Sequence, residues 1–327
     1  MLSRDQIEVA GFMCLNFVSS VLIIWANKLA YQSGFPFATS LTILHFVATF
    51  LGLEISARRG LFAKKPLEIR SVAPISLAFC GFVVFNNLSL QFNQIGVYQL
   101  LKVLTTPTIV LIQFLLYSTT LPRSQLVSLL PVCVGVVLAT VSSFEANWLG
   151  LLFGGAGIAS TSLYQIWVKT EQARLECTSE QLLYFQAPMS ASMLLIMLPM
   201  VEDIDSIAKF EWISISAVWW IIVSSVLAFL VNLSIFLVIG RTSPVSYNVL
   251  GHAKLCVILL SGYLFFGDQC SAQNLVGVAL AVTGIVWYTH LKLKGTAPNS
   301  KPPKADYARV VSTDDEQDIL MTENDKK

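Results

Sequence analysis

Residues 213–239 read ISISAVWWIIVSSVLAFLVNLSIFLVI, a run of 27 residues without a charged side chain. A helix needs roughly 20 mostly apolar residues to cross the hydrocarbon core of a bilayer, so this run predicts a membrane-spanning helix. Nine further apolar runs, separated by short polar segments, raise the prediction to ten spans. The predicted spans are residues 8–30, 36–57, 71–92, 95–117, 124–144, 147–169, 181–201, 213–239, 243–266 and 271–291.

The composition of the whole chain agrees with this class. Of its 327 residues, 55% are hydrophobic and 13% are charged, and the mean hydropathy is +0.67. These values are typical of proteins whose solvent is the lipid bilayer. A net charge of +1 provides no field that would recruit nucleic acid, so no nucleic-acid partner is expected. The sequence lacks CxxC, HExxH and clustered His/Cys patterns, and we expect neither a metal site nor a cofactor.

The distribution of Lys and Arg predicts the orientation of the helices. The loop after the second span contains Arg58, Arg59, Lys64, Lys65 and Arg70, whereas residues 202–212 are acidic. Cytosolic loops carry the excess of Lys and Arg. Both termini are therefore predicted to face the cytosol, and the polar segment after residue 291 is predicted to be a disordered tail.

A weak internal repeat divides the spans into two groups of five. The tetrapeptide NLSL at residues 87–90 recurs as NLSI at 232–235, TS at 39–40 recurs at 178–179, and Lys28 ends the first span as Lys169 ends the sixth. Because five is odd, the second copy must enter the membrane inverted, which is typical of transporters. The predicted units are residues 1–146, 147–291 and the tail 292–327; chance matching among apolar helices is the alternative.

Two lysines, Lys102 and Lys254, lie about eight and eleven residues into their spans, which is close to mid-depth at 1.5 Å per residue. A lysine at the centre of a membrane helix costs about 2.5–3.5 kcal/mol on insertion scales. None of the ten spans has an Asp or Glu near its centre to compensate these charges. Either the lysines lose their protons, or they donate to backbone carbonyls of broken helices, or an anion from solution supplies the missing charge.

Helical periodicity places a tyrosine on the same face as each lysine. The two faces comprise Tyr98, Lys102 and Thr105 on the fourth span and Tyr247, Gly251 and Lys254 on the ninth. Tyrosine is suited to stacking on a base or bonding a ribose or phosphate, although it also packs in membrane spans. The faces therefore predict an anion site with aromatic walls.

Other deep polar residues have a less specific interpretation. His45, His252, Asn87 and Asn232 are predicted to be interhelical hydrogen-bond partners, each worth about 0.6 kcal/mol. Four glycines, at positions 150, 154, 155 and 157, predict close helix packing. The side chains of Lys28 and Lys169 lie at helix ends, from which lysine can reach the membrane surface.

Four motifs together resemble the nucleotide-sugar/triose-phosphate transporter family of the drug/metabolite transporter superfamily. The resemblance covers residues 10–292 and includes the E branch of solute carrier family 35 and the plant UDP-rhamnose/UDP-galactose carriers. The motifs are WANK at 25–28, CGFVVFNNLSL at 80–90, YQLLK at 98–102 followed by TTP at 105–107, and TSPVSYNVLGHAK at 242–254.

The resemblance implies a secondary-active antiporter that exchanges a nucleotide sugar, with a UDP-sugar favoured, for a nucleoside monophosphate across the Golgi or ER membrane. It also implies that Lys102 and Lys254 meet the phosphates, and it is compatible with a homodimer. Leu255 departs from the arginine that follows the lysine in triose-phosphate carriers and argues against small sugar phosphates. The candidate substrate-binding residues are Lys28, Asn87, Tyr98, Lys102, Thr105, Asn232, Tyr247, Asn248, Gly251, His252 and Lys254.

Three alternatives remain at this point. The chain could exchange small sugar phosphates or other phosphorylated metabolites for inorganic phosphate. It could be a membrane-embedded enzyme that modifies lipids or sugars. Such chemistry usually needs a base, a carboxylate pair or a metal site, and the sequence lacks sizeable soluble loops and acidic motifs. A structural scaffold is the third alternative and leaves the two deep lysines unexplained.

Overall fold

The computed structural model describes residues 4–93, 95–140, 147–209, 215–265 and 271–295, and these parts are all-helical. Twelve α-helices lie within them. In chain order they are α1 (Arg4–Gln32), α2 (Ala38–Arg58), α3 (Ile69–Phe92), α4 (Ile95–Val103), α5 (Thr105–Tyr117), α6 (Arg123–Thr140), α7 (Trp148–Arg174), α8 (Ser179–Val201), α9 (Ile204–Ala208), α10 (Ile215–Arg241), α11 (Pro244–Phe265) and α12 (Ala272–Gly295).

The described part of each predicted span is helical, and seven of the described helices are long and apolar enough to cross a membrane. These seven are α1, α2, α3, α7, α8, α10 and α12. The all-helical membrane class is thus confirmed. The predicted ends at 141–144, 213–214 and 266, the boundary at 146 and the tail beyond 295 lie outside the described residues.

The fourth predicted span differs from the prediction because it is two helices. α4 ends at Val103, and α5 begins at Thr105 after a break at Leu104. Pro107 has no N–H to donate to the carbonyl of Val103, and its ring crowds that carbonyl, so a continuous helix is disfavoured there. The break follows Lys102 by two residues and loosens the backbone beside that lysine.

The helices pack mainly in four pairs: α6 with α12, α3 with α7, α1 with α10 and α2 with α8. The largest apolar core joins α2, α3, α7, α8 and α10 around buried aromatic rings, including Phe46, Phe79, Tyr164 and Phe236. This core fixes the frame against which the shorter α4, α5 and α11 are placed.

Small residues allow the paired backbones to touch. A Cβ on Gly135 of α6 would lie 2.3 Å from the backbone nitrogen of Ala281 on α12, and a Cβ on Gly277 would lie 2.4 Å from that of Ala139. Such close approach is the usual role of glycine between membrane helices. The pair α6 and α12 therefore depends on residues without side chains.

The glycines of α7 follow the same rule with one exception. A Cβ at Gly150, Gly154 or Gly157 would lie 2.3–3.0 Å from side chains of α3, of α4 or of the residue that caps α3, whereas a Cβ at Gly155 would meet nothing within 4 Å. The prediction of close packing is confirmed for the first three and is wrong for Gly155. Gly155 is exposed because its position lies on the face of α7 turned away from α3.

Candidate functional site

Lys102 lies in the last turn of α4, immediately before the break at Leu104. Its side chain is exposed, and its Nζ lies 4.5 Å from the ring centre of Tyr98, as the helical spacing predicted. This is a cation–π contact, which attracts the ammonium without neutralising it. Among the residues that the structure describes, no carboxylate or hydrogen-bond acceptor contacts Nζ, so its three N–H donors remain available.

Lys254 on α11 also lies over a tyrosine, with its Nζ 5.5 Å from the ring centre of Tyr247. Unlike Lys102 it has hydrogen-bond partners: Nζ donates to Asn16 Oδ1 at 2.9 Å and to Ser20 Oγ at 3.1 Å. No carboxylate lies within ion-pair distance of it in the described part of the chain. Instead α1 supplies two neutral acceptors, which the sequence around Lys254 does not reveal.

Asn16 and Ser20 could have been found from their spacing. They are polar residues four positions apart in an otherwise apolar helix, so they share one face of α1. The sequence does not say which helix that face contacts. That information comes from the packing of α1 against α10 and α11.

A second contact links α5, which follows the helix of Lys102, to α11, which carries Lys254. Thr106 Oγ1 lies 3.0 Å from His252 Nε2, and both side chains are buried. Thr106 follows Lys102 by four residues, and His252 precedes Lys254 by two. At 1.5 Å per residue, Lys254 lies about 3 Å along α11 from His252, and Lys102 lies just across the break at Leu104 from Thr106. The contact therefore places the lysines at similar depth and confirms His252 as an interhelical partner.

The remaining candidates on α5 and α11 lie in three kinds of environment. Thr105 is buried. Asn248 donates to Gln165 Oε1 on α7 and to the carbonyl of Pro244. Gly251 faces open space, since a Cβ there would meet nothing within 4 Å. One turn from Lys254, the glycine thus leaves room that a ligand could occupy.

Of the two asparagines in the repeated tetrapeptides, Asn232 alone bonds a neighbouring helix, donating to Thr49 Oγ1 at 3.0 Å. Asn87 makes no side-chain hydrogen bond within the described part of the chain. Asn86 instead reaches Thr161 on α7 at 3.4 Å, so the interhelical role predicted for Asn87 is wrong. Asn87 is rotated by about 100° around α3 relative to Asn86, so its side-chain amide points away from α7.

The face of α1 that holds Lys254 continues into a largely open surface cavity of about 520 Å³, whose lining residues all belong to α1. The cavity is lined by Ile24, Asn27, Lys28, Tyr31 and Gln32. Counted from residue 16, positions 20, 24, 27 and 31 fall at helical repeats, so they share the Asn16 face. Lys28 is exposed, its Nζ lies 5.8 Å from the ring of Trp25, and the Oδ1 atom of Asn27 is buried without a hydrogen-bond partner.

Lys169, the repeat counterpart of Lys28, is held differently. Its Nζ donates to the carbonyl of Gly240 at the end of α10. Ser179 of α8 donates to the carbonyl of Phe236 in the same helix at 3.0 Å. The expectation that Lys169 extends to the membrane surface is therefore wrong, because the last turn of α10 offers unpaired carbonyls closer by.

The model of the Triose-phosphate Transporter family matches residues 7–289, nearly all of the described helices. The chain belongs to the Triose-phosphate Transporter family. With its candidate spans, it is a multi-pass membrane protein of that family.

Curated relatives from Arabidopsis thaliana cover most of the chain. The chain is 36% identical to UDP-xylose transporter 1 over 98% of its own length and 94% of that protein. It is 33% identical to UDP-rhamnose/UDP-galactose transporter 1 over 88% of its own length and 84% of that protein. A solved structure described only as the crystal structure of a protein has a TM-score of 0.68 at 18% identity, over 86% of this chain and 98% of that one, and supports the fold alone.

Proposed function

We propose that this family member is a secondary-active antiporter that exchanges a nucleotide sugar, with a UDP-sugar favoured, for a nucleoside monophosphate across a Golgi or ER membrane. The observation that carries the proposal is the pair Lys102 and Lys254, two cations without a carboxylate partner in the described residues, each set over a tyrosine. The named substrates of the plant relatives favour a UDP-sugar.

In this proposal the lysines bind the phosphates of the substrate. Charge-assisted hydrogen bonds to phosphate are about twice as strong as neutral ones. Lys102 offers three N–H donors, and Lys254 offers the donor that Asn16 and Ser20 do not use. The rings of Tyr98 and Tyr247 lie beside the lysines, where a base or ribose could contact them.

The other proposed contacts surround this pair. Gly251 leaves space beside Lys254, and Thr105 and His252 lie beside the contact between α5 and α11. Lys28 lines the cavity and would attract the anion on its way to the deeper lysines. Asn87, Asn232 and Asn248 complete the proposed binding set.

The packing supports ten spans arranged as two inverted repeats, residues 1–146 and 147–291. We count α4 and α5 as one span and α9 as part of a connection. The spans then correspond in order: α1 to α7, α2 to α8, α3 to α10, α4 with α5 to α11, and α6 to α12. The pair α3 and α7 then corresponds to α10 and α1, and α2 with α10 corresponds to α8 with α3. Exchange of partners between corresponding helices is what a two-fold axis in the membrane plane produces.

The same correspondence supports alternating access. At one end Lys169 binds the carbonyl of Gly240 in the last turn of α10, and Ser179 binds the carbonyl of Phe236 one turn earlier. Within the described residues their counterparts make no such contact with α3: Lys28 lines the cavity, and Ser40 donates to Glu202 at 2.6 Å. With the predicted orientation, we infer that the described conformation is the one closed toward the cytosol. Rocking of the halves would exchange the two arrangements.

The unpaired lysines also explain why transport would be coupled. Closing an empty site would enclose two uncompensated cations in a poorly solvated cavity, where repulsion and desolvation are both costly. A bound phosphate removes this barrier. The carrier would therefore return across the membrane only when loaded, which makes it an exchanger.

Reconstituted exchange tests the proposal. Proteoliposomes loaded with UMP should take up UDP-xylose or another UDP-sugar, and Lys102→Gln should abolish uptake while the exposed loop variant Lys209→Gln retains it. Net efflux as fast as exchange, with nothing on the far side, would contradict antiport. Preference for small sugar phosphates against inorganic phosphate would overturn the substrate assignment. Uptake that is unaffected by Lys102→Gln would overturn the proposed role of Lys102 in binding.

A further inference from the structure

Asn16 is fully buried in α1 and connects α11 with α10. Its carbonyl accepts from Lys254 Nζ at 2.9 Å, and its amide nitrogen donates to Ser234 Oγ at 2.9 Å. The hydroxyl of Ser234 donates to the carbonyl of Val231 at 2.9 Å. Every bond therefore runs in one direction, from the lysine through the asparagine and the serine to the backbone.

This direction fixes the orientation of the Asn16 amide. Lysine can only donate, so the oxygen of Asn16 must face Lys254. Because the proton of Ser234 is used by Val231, the oxygen of Ser234 is free to accept from the amide nitrogen. The network therefore admits one orientation of the amide and holds its oxygen toward the lysine.

All the acceptors that contact Lys254 in the described part of the chain are neutral. They satisfy two of its three N–H donors without cancelling its charge. A carboxylate at the same place would form an ion pair and reduce the attraction for any other anion. The amide of Asn16 therefore orients the ammonium and leaves its charge uncompensated.

We propose that Asn16, assisted by Ser20, is the positioning residue for Lys254 and directs its third N–H to the phosphate of the transported nucleotide. This inference rests on the proposed antiport. It adds that α1 determines how strongly Lys254 binds an anion. It also adds that α1 determines how strictly the return of the carrier across the membrane requires a bound anion. Asn16 itself need not contact the substrate.

Asn16→Asp tests the inference by changing an amide into a carboxylate of the same shape. The variant supplies an internal counter-ion to Lys254. In proteoliposomes we expect the KM for UMP in UMP/UMP exchange to rise about tenfold or more. Net UMP efflux without external substrate should rise relative to exchange, because one of the two cations is neutralised in the empty site.

Two serines provide a milder test with a matched control. Ser20→Ala removes an acceptor from Lys254, whereas the neighbouring Ser19 donates to the carbonyl of Leu15 within its own helix. We expect Ser20→Ala to raise the KM for UMP several-fold and Ser19→Ala to leave it within twofold. This pair keeps the inference testable if Asn16→Asp does not yield a monodisperse protein.

The outcomes separate the inference from the proposed function. If wild-type protein shows no UMP exchange, the proposed function fails, and the inference fails with it. If wild-type exchange is tightly coupled but Asn16→Asp, correctly folded, has an unchanged KM and an unchanged ratio of net efflux to exchange, the positioning role is overturned alone. Equal effects of Ser20→Ala and Ser19→Ala would also overturn it.

Discussion

Lys169→Met removes a cationic cap from the end of α10 and tests which end of the protein is closed. The substitution keeps the apolar stem of the side chain and deletes the bond from Nζ to the carbonyl of Gly240. Since Lys28 makes no corresponding bond among the described residues, the loss should weaken the described conformation more than the conformation open to the cytosol. We expect the population to shift toward the form open to the cytosol.

The size of the shift follows from the bond that is lost. A hydrogen bond to a charged group is worth about 1.5–3 kcal/mol. At 1.4 kcal/mol per factor of ten, the ratio of the two conformations should change by about 10- to 150-fold. The bond from Ser179 to the carbonyl of Phe236 at 3.0 Å remains, so the closure is weakened without being abolished.

A cysteine at Gly251 can report this shift. The position faces open space near mid-depth, and all six native cysteines would first be replaced. A membrane-impermeant thiol reagent, added to one side of sealed vesicles of known orientation, should label the reporter from the lumen in the parent. In Lys169→Met the reagent should label the reporter cysteine increasingly from the cytosolic side.

The matched control is Arg174→Met, which lies on the same helix and pairs with Glu171 of that helix. It should leave the ratio of luminal to cytosolic labelling unchanged. Lys28→Met should not reduce luminal labelling, because the corresponding bond from Lys28 to α3 would form only in the conformation open to the cytosol. An unchanged ratio in Lys169→Met, or a shift no larger than that of Arg174→Met, would refute the reasoning.

Three further outcomes are expected. Thr106→Val leaves the buried His252 of α11 without its partner and should lower the free energy of unfolding by about 1–3 kcal/mol, measured by thermal unfolding. Its control is Thr108→Val at a partly exposed position, which should change the free energy of unfolding by under about 0.5 kcal/mol. Gly251→Ala should stabilise its helix by about 0.5–1 kcal/mol, while Gly135→Ala should prevent α6 and α12 from packing and be detected as aggregation on size exclusion. Burial raises the pKa of the Cys177 thiol to about 11, so its maleimide labelling should be slow near pH 7 and accelerate as pH rises toward 11; a rate independent of pH would contradict this.

The positions of the spans could be predicted from the sequence because bilayer thickness acts on each run separately. A run such as residues 213–239 needs no knowledge of its neighbours to be recognised. The tyrosine beside each lysine was predictable for the same reason, since both residues lie on one helix. The break at Leu104 was also latent in the sequence, because Pro107 removes a donor at a known distance along the chain.

What the sequence could not supply are the contacts between helices. Asn16 and Ser20 are visible as polar residues, but their meaning depends on α11 facing them. Lys169 has the same position in its span as Lys28, and local sequence cannot say that one caps a carbonyl while the other lines a cavity. For Asn87, helix rotation decided the outcome, and a hydropathy pattern does not determine it to within one residue.

The depth of each contact between the proposed halves suggests what it does during transport. Rocking by about 15° would move groups about 15 Å from the axis by about 4 Å, which breaks a hydrogen bond, but would move groups about 3 Å from it by under 1 Å. The bonds of Asn16 with Lys254 and of Thr106 with His252 lie near mid-depth and can persist through both conformations. The bond of Lys169 lies near a helix end and cannot. Substitutions at mid-depth should therefore alter substrate affinity from both sides of the membrane, and substitutions at the end should alter how the two conformations are populated.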